Sequence, residues 1–334
     1  MLPGYPIPRT SFQVDARSIP REYRRRNVRG RVSQEILEEE IRSFVSKPSY
    51  DKGVWLGRPE GSSVPRITIV TPSYNQAEFL EKTILSVLNQ NYPNLEYIII
   101  DGGSSDGSVE IIRKYSNFLS FWVSEKDRGQ SDAINKGFFR ASGDLVAWQN
   151  SDDVYLPGAL KEVARVFGED PGHDVYYGNM YTIDQDDNIL HEHRYTPFSV
   201  RSLLFDGWNL TNQSAFIRRD IARAYAFENS LEYAMDADFF VRLGSDGRKF
   251  RFIHRHLGAL RVHPAAKGET IGRFVGDEEW AGIRARAGIV VRKNIPWGRQ
   301  FRVRKAYYKL RKLLYYILQG DVDYVVSRIR RMFS

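Results

Sequence analysis

Four short stretches carry oxygen-bearing side chains at a spacing that could hold a phosphorylated ligand. They are TPSYN (71–75), DGGSSDGS (101–108), EKDRGQSD (125–132) and NSDD (150–153). The last is the sharpest. Asp152 and Asp153 are adjacent carboxylates, and two such charges side by side repel unless a cation lies between them. A hard divalent ion such as Mg2+ or Mn2+ prefers oxygen ligands of this kind. One carboxylate would then serve the ion while its neighbour turns to a ribose hydroxyl. The plain alternative is a solvated acidic turn capping the helix after Pro157. In DGGSSDGS the glycines permit tight turns, but there is no GxGxxG and no GxxxxGK[ST]. Asp106 could cap the next helix. Asp101 remains as a carboxylate able to accept from a base N–H, with a strand–turn–helix cap as the plain alternative. The chain has no cysteine, which excludes a thiolate zinc site, a cysteine nucleophile and a disulfide scaffold.

Each stretch sits at or just beyond the end of a short apolar run: RITIV, LEYIII, FLSFWVS and DLVAW. Segments with helical spacing alternate with these runs: AEFLEKTILSVLNQ, GSVEIIRKYSN, SDAINKGFFRAS and GALKEVARVFG. Four strand–helix units in a row imply a parallel sheet with helices on both faces. In such a sheet ligands gather beyond the carboxyl ends of the strands, which is where the acidic stretches lie. After Pro171 the rhythm breaks. HDVYYGNMYTID and RFIHRHLGALRVH read as longer strands, and NSLEYAMDADFFVRLGSDG as a helix with a glycine stop.

The ends of the chain are different. Residues 1–30 are rich in Pro and Arg, Ser33–Ser46 reads as one helix with Ser33 as N-cap, and a polar linker ends at Pro65. The segment RQFRVRKAYYKLRKLLYYILQ is amphipathic, with Val303, Tyr307, Leu310, Leu314 and Ile317 on one stripe and Arg302, Lys305, Lys309 and Lys312 largely on another. Net charge is +8 overall, but +4 in residues 1–65, −6 in 66–290 and +10 in 291–334. An acidic body argues against nucleic acid as a partner. A basic tail suggests an anionic surface such as lipid headgroups. At 334 residues and 42% hydrophobic the chain can bury a core, yet no run approaches the roughly 18 apolar residues of a spanning helix. The first twenty residues lack the apolar run of a signal peptide. The expected organisation is therefore an extension over 1–65, an α/β domain over 66–265, and a helical basic extension over 266–334.

The stretches VTPSYNQAEFLEKTILSVLNQNYPNLEYIIIDGGSSDGSVEII and SEKDRGQSDAINKGFFRASGDLVAWQNSDDVYLPGAL closely resemble the family 2 inverting glycosyltransferases. These have the GT-A fold, a Rossmann-like mixed sheet with helices on both faces, and the likeness is to the bacterial exopolysaccharide and O-antigen type. It spans about residues 66–263. The resemblance implies that Pro72 and Tyr74 wall a nucleotide base, Asp101 accepts from a uracil N–H, and Arg128 lies near the base and diphosphate. It implies that Asp153 binds the metal and Asp152 a ribose hydroxyl or a metal-bound water. Asn150 stands where many members have a first Asp. In EYAMDADFFVRL, Asp236 matches the general base, Met235 replaces the usual Glu, and Asp238 is held in reserve. A first-turn carboxylate stabilising the helix dipole is the plain alternative for Asp236, and both roles can coexist. His263, in the family's RxH segment, would complete the metal shell, or is a plain loop residue. Lys267 and Thr270 would sit on a loop closing over the diphosphate. Trp208 would stack on a sugar or fill the core, and Gln213 would bond acceptor or leaving phosphate.

The function implied is a Mn2+- or Mg2+-dependent inverting transfer of one sugar. The donor would be a nucleotide sugar, by default a UDP-sugar, and the acceptor a hydroxyl of a saccharide or polyprenyl-linked saccharide used in surface polysaccharide synthesis. A processive synthase would add transmembrane helices and a QxxRW motif, and neither is present. A degenerate chain that binds nucleotide sugars without catalysis would lose the metal or base residues. A nucleotide-dependent oxidoreductase would show the dinucleotide fingerprint. The expected location is cytoplasmic, with the basic tail as an interfacial anchor on the inner membrane face, an oligomer contact, or a helix packed on its own core.

Overall fold

The computed structural model describes residues 14–15, 31–51, 64–207, 209–268, 270, 272–289 and 299–333. The four apolar runs form strands β1 (Ile67–Ser73), β2 (Leu95–Asp101), β3 (Phe121–Ser124) and β4 (Leu145–Trp148). They pair in parallel in the order β3-β2-β1-β4. Side chains alternate across a strand, and here both sides are buried. Val70, Ile98, Ile100, Val146 and Trp148 enter one core, while Ile67, Ile69, Ile99, Leu145 and Ala147 enter another. That double burial is why the runs are continuous and not alternating. Helices α2 (Ala77–Leu88) and α5 (Ala159–Glu169) supply Leu80, Ile84, Leu160 and Val163 to the second core. Helix α4 (Gln130–Arg140) brings Ile134 and Phe138 to the first, and α3 (Ser108–Lys114) brings Ile112 to the second.

Beyond β4 the sheet becomes mixed and reaches nine strands among the described residues. The added strands are β5 (Val154–Tyr155), β6 (Val175–Ile183), β7 (Ile189–His193), β8 (Ala215–Arg218) and β9 (Phe250–Arg261). β8 pairs antiparallel with β4 and β6, β9 runs parallel to β6, and β5 and β7 add antiparallel to β9 and β6. The long strands β6 and β9 were legible as apolar runs. The short β5, β7 and β8 were not, because two to five residues show no period.

The helix expected over 229–247 is shorter, α8 (Met235–Ser245). The expected N-terminal helix is α1 (Gln34–Ser46), capped by Ser33 Oγ accepting from the Ile36 N–H. It is not a free appendage. Leu37, Ile41 and Val45 pack against Val154, Tyr181, Ile183 and Ile189, and Glu38 accepts from the Ile189 N–H at 2.9 Å. Helix α9 (Gly272–Arg286), within the expected C-terminal extension, likewise places Ile283 in the first core. Between them the chain forms the short helices α6 (Val200–Asp206) and α7 (Arg219–Ala224), and the tail folds as α10 (Arg299–Leu318) and α11 (Val322–Phe333). Gly320, at φ 78°, makes the break between the last two.

Candidate active site

The acidic stretches meet at one rim because β1, β2 and β4 run parallel and end together. At the end of β1, Asn75 takes φ 50°, a left-handed geometry that Asn tolerates. Its side-chain oxygen accepts from the Ser105 N–H at 2.9 Å, and its own N–H donates to Ser104 Oγ at 2.8 Å. Asp101 is buried at the end of β2. Its Oδ2 accepts from Gly103 N, Ser104 N and Ser124 Oγ, and its Oδ1 from Ser104 Oγ. Gly103 holds φ 83° in this turn, where a Cβ would be strained. Asp106 caps α2 from another loop, accepting from the Ala77 N–H, besides its own Ser108. Burial opposes ionisation of Asp106, but these donors outweigh it and hold the carboxyl below its usual range. Pro72 is buried in β1, and Tyr74 stands 62% exposed at its mouth.

The two carboxylates of NSDD point in different directions. Asp153 is wholly buried. Its Oδ2 accepts from Gln213 Nε2 at 2.8 Å and Asn150 Nδ2 at 3.0 Å, and its Oδ1 from the Arg261 N–H at 2.9 Å. Burial, and then the neighbouring charge of Asp152, raise its carboxyl well above the usual range against those donors. Asp152 keeps partial exposure and lies 3.2 Å from Nε2 of His263. Asp153, expected to hold the metal, is committed to the fold, and Asp152 is paired with the imidazole. Gln213, expected to face acceptor or phosphate, is 3% exposed and spent on Asp153.

Arg261 was missed as a site residue, although it opens the RxH segment. It is 1% exposed, and besides its N–H to Asp153 it donates from Nε to the Asp152 carbonyl at 2.9 Å and from Nη1 to the Asp184 carbonyl. Its Nη2 pairs with Asp187 at 2.7 Å. Phe79 lies under both the Arg261 guanidinium and the His263 ring, at 5.1 and 4.5 Å. Gly258 lets this arrangement close. A Cβ there would come within 2.0 Å of the Gln213 carbonyl oxygen.

Among the described residues no group of three or more Asp, Glu or His side chains forms a ready metal cage. The Asp152–His263 pair nonetheless fits a Mn2+- or Mg2+-type ion by its donor set, a carboxylate oxygen and an imidazole nitrogen on a firm ring support. Further ligands would come from a bound diphosphate or water.

Asp236 lies in the first turn of α8. It is partly exposed, accepts from the Ala237 N–H at 2.7 Å, and is crowded enough that burial raises its carboxyl to about 6. Asp238, the reserve base, is 1% exposed and saturated by Arg242 and Arg286. It ties α8 to α9, with each oxygen taken by one guanidinium. Glu279 of α9 was also missed. Its carboxylate accepts from the N–H groups of Glu232, Tyr233 and Ala234 at 2.7, 3.0 and 2.7 Å, so one residue on α9 fixes the entry to the helix that carries Asp236. Met235 packs its sulfur 3.0 Å from Ser131 Oγ at the start of α4.

Lys267 bridges the two halves. Its Nζ donates to Gln130 Oε1 at 3.0 Å and to the Glu232 carbonyl at 3.1 Å. Gln130 in turn donates to Asn150 at 2.7 Å, and Asn150 to Asp153. Arg128, just before α4, is folded onto Asp132 in the first turn of that helix at 2.6 Å, leaving its side chain 75% exposed. Trp208 lies outside the described residues.

Residues 68–228 match the sequence model of glycosyl transferase family 2. An uncharacterized glycosyltransferase of Mycobacterium tuberculosis is 29% identical over 185 residues, covering 54% of this chain and 70% of that protein. Chondroitin synthase of Escherichia coli is 25% identical over 241 residues, covering 72% of this chain but 34% of the synthase. Among solved structures, the mannosyltransferase PcManGT from Pyrobaculum calidifontis, in complex with GDP-Man and Mn2+, matches at TM-score 0.51 and 18% identity over 84% of this chain and 79% of that one. S. aureus TarS in complex with UDP-GlcNAc matches at TM-score 0.51 and 18% identity over 61% of each chain. These two structures show a shared fold.

Proposed function

A chain that carries a glycosyl transferase family 2 domain is a glycosyltransferase, and from that premise we propose that this one moves a single sugar from a nucleoside diphosphate sugar to an acceptor hydroxyl with inversion. The observation that carries the reading is the Lys267 bridge. It joins the loop after His263 to the acidic turn of β4 on one side and to the entry of the Asp236 helix on the other. In this reading the diphosphate end and the base end are tied together through that one lysine.

In this reading Pro72 and Tyr74 flank the base. Asp101 Oδ1, with one donor where Oδ2 has three, is the oxygen left to take a uracil N–H, which favours a UDP-sugar. TarS was solved with UDP-GlcNAc and PcManGT with GDP-Man, so the donor base is the point a first measurement must decide. Asp152 and His263 would hold Mn2+ or Mg2+, which would supply Lewis-acid stabilisation to the diphosphate oxygens. The acceptor oxygen attacks the anomeric carbon from the face opposite the leaving phosphate, and one C–O bond forms as the other breaks. The acceptor proton passes to Asp236, whose raised carboxyl is better matched to neutral pH than an ordinary Asp. A single base and no nucleophile give one displacement and hence inversion. The acceptor class, a saccharide or polyprenyl-linked saccharide of a surface polysaccharide, rests on relatives such as chondroitin synthase.

The test is calorimetric titration of UDP, GDP and dTDP with Mn2+ on the wild type and on Asp152→Asn, followed by turnover of the matching sugar nucleotides by wild type and Asp236→Asn. Metal-dependent nucleotide binding lost in Asp152→Asn, with transfer lost in Asp236→Asn, is the expected pattern. Binding with neither transfer nor hydrolysis would mark a nucleotide-sugar-binding chain without catalysis. No nucleotide binding at all would end the transferase reading.

A further inference from the structure

Helix α10 carries two apolar faces, and the structure buries the less expected one. Phe301 and Tyr308 pack their rings on Phe205 of α6, at 5.0 and 5.8 Å. Lys312 pairs with Asp206 at 2.7 Å. Tyr316 Oη donates to the Arg194 carbonyl at 2.6 Å, and Arg194 pairs with Asp321 at the turn into α11 at 2.7 Å. These contacts fix the rotation of the helix about its axis. They leave Val303, Tyr307, Leu310, Leu314, Ile317 and Leu318 outward, each 45% to 82% exposed, and Val322 and Val326 of α11 continue the strip. Exposed apolar residues in one continuous row at helical spacing mark an interaction surface.

We propose that this strip docks the protein on an anionic lipid surface. The charges around it choose the partner. Arg302, Arg304, Lys305, Lys309 and Arg311 rim the strip in exposed positions, and no Asp or Glu occurs anywhere in 299–318. The 4-3-4-3 spacing of the strip would also suit a helix of a second copy. Two copies, however, would bring together two helices that each carry Arg302, Arg304, Lys305, Lys309 and Arg311, with no acid in 299–318 to answer them. The N-terminal 30 residues, with seven Arg against two acids, are excluded as a cover on the same ground. An anionic headgroup layer satisfies both features, taking the apolar side chains into its upper acyl region and the cations at headgroup level. The contact is interfacial: no helix of the described residues is long and apolar enough to cross a membrane. Helix α10 packs on α6, and α6 packs on α8, so the strip belongs to the half of the molecule that carries Asp236. Under the transfer reading this brings a lipid-linked acceptor to the base side of the cleft. The docking itself does not depend on that reading.

The experiment is flotation of the full chain with vesicles of phosphatidylcholine alone and of phosphatidylcholine mixed with phosphatidylglycerol. Binding to the mixed vesicles should exceed binding to the neutral ones at least about tenfold and fall as salt is added. The triple variant Leu310→Ser/Leu314→Ser/Ile317→Ser should lose most of that binding. Its circular dichroism and nucleotide titration should stay unchanged, since all three side chains are half-exposed. Lys305→Glu/Lys309→Glu should erase the preference for anionic vesicles. Absence of flotation, or equal flotation with both vesicle types, overturns the proposal. So does a concentration-dependent dimer in sedimentation that the triple variant dissolves, which would give the strip to a second copy.

Discussion

At the scale of single residues, three carboxylates that look alike in the sequence have different states. Asp236 is the one whose charge is held back by desolvation, with a carboxyl near 6 against about 3.9 in an unfolded chain. If it is the base, kcat/KM falls as pH drops through about 6, and Asp236→Asn lowers kcat by about 10²–10⁴-fold. Stability has the opposite sign. The folded chain holds this proton more tightly than the unfolded one, so stability falls as pH rises from about 4 to 6. Asp236→Asn should therefore stabilise the fold at pH 7, by about 1 kcal/mol for a partly exposed group, and a melting temperature lower than that of the wild type would refute this account. Asp152 and Asp153 separate by their partners. Asp153→Asn sets an amide NH2 against either the Arg261 N–H or the Gln213 and Asn150 donors and should cost about 1–3 kcal/mol in denaturant unfolding. Asp152→Asn should leave that unfolding nearly unchanged and weaken Mn2+-dependent nucleotide binding. If Asp153 held the ion, the two variants would trade results.

At the scale of elements, the base helix is positioned from outside itself. Helix α8 has no side-chain cap of its own at Ala234. The three N–H groups before it are satisfied by Glu279 of α9, and Asp238 in its first turn is pinned by Arg286 of α9. Glu279→Gln keeps the shape but removes the charge from a helix N-terminus, where an anion is worth about 0.3–1 kcal/mol and up to ~2 when partly buried. The expected result is a drop in kcat several times larger than any change in donor affinity, with a modest loss of stability. Equal loss of kcat and of donor binding would point to general unfolding of the cleft. Gly258 is the stricter constraint. Its alanine variant would drive a Cβ onto the Gln213 carbonyl, pushing apart β9 and the turn that holds Asp153. Expression in inclusion bodies or a loss above about 3 kcal/mol is expected, and an unperturbed melting curve would contradict the packing.

At the scale of the whole molecule, the terminal helices are structural as well as basic. Removing residues 299–334 would uncover Phe205 and leave Asp206 and Arg194 without Lys312 and Asp321. Breaking such half-buried pairs from one side is costly. The truncated chain should aggregate or melt well below the full one, not behave as a trimmed catalytic core, and differential scanning fluorimetry of the two would decide. The charge division has a related consequence. If the proposed docking holds, an acidic body and a basic tail would orient the molecule on an anionic surface before any specific contact forms.

Much of this was written in the chain itself. Continuous apolar runs of β-branched residues ending in Asp, Ser and Gly fixed a parallel sheet buried on both faces, with its acidic ends on one rim. The four motifs in order lie within residues 68–228, which match the glycosyl transferase family 2 model. These signals are local, carried by residues within a few positions of each other. The tertiary structure decided what depends on distant partners. Which of Asp152 and Asp153 faces outward was set by Gln213 and by Arg261, 108 residues away, and a turn has no period from which to read direction. That Asp238 was spent in ion pairs depended on Arg286, 48 residues on. The stripe of α10, which in the sequence could equally face a core, a lipid surface or another copy, turned outward. Two stripes of the helix are apolar enough to bury, and only the aromatic rings and Lys312 found complements in Phe205, Arg194 and Asp206.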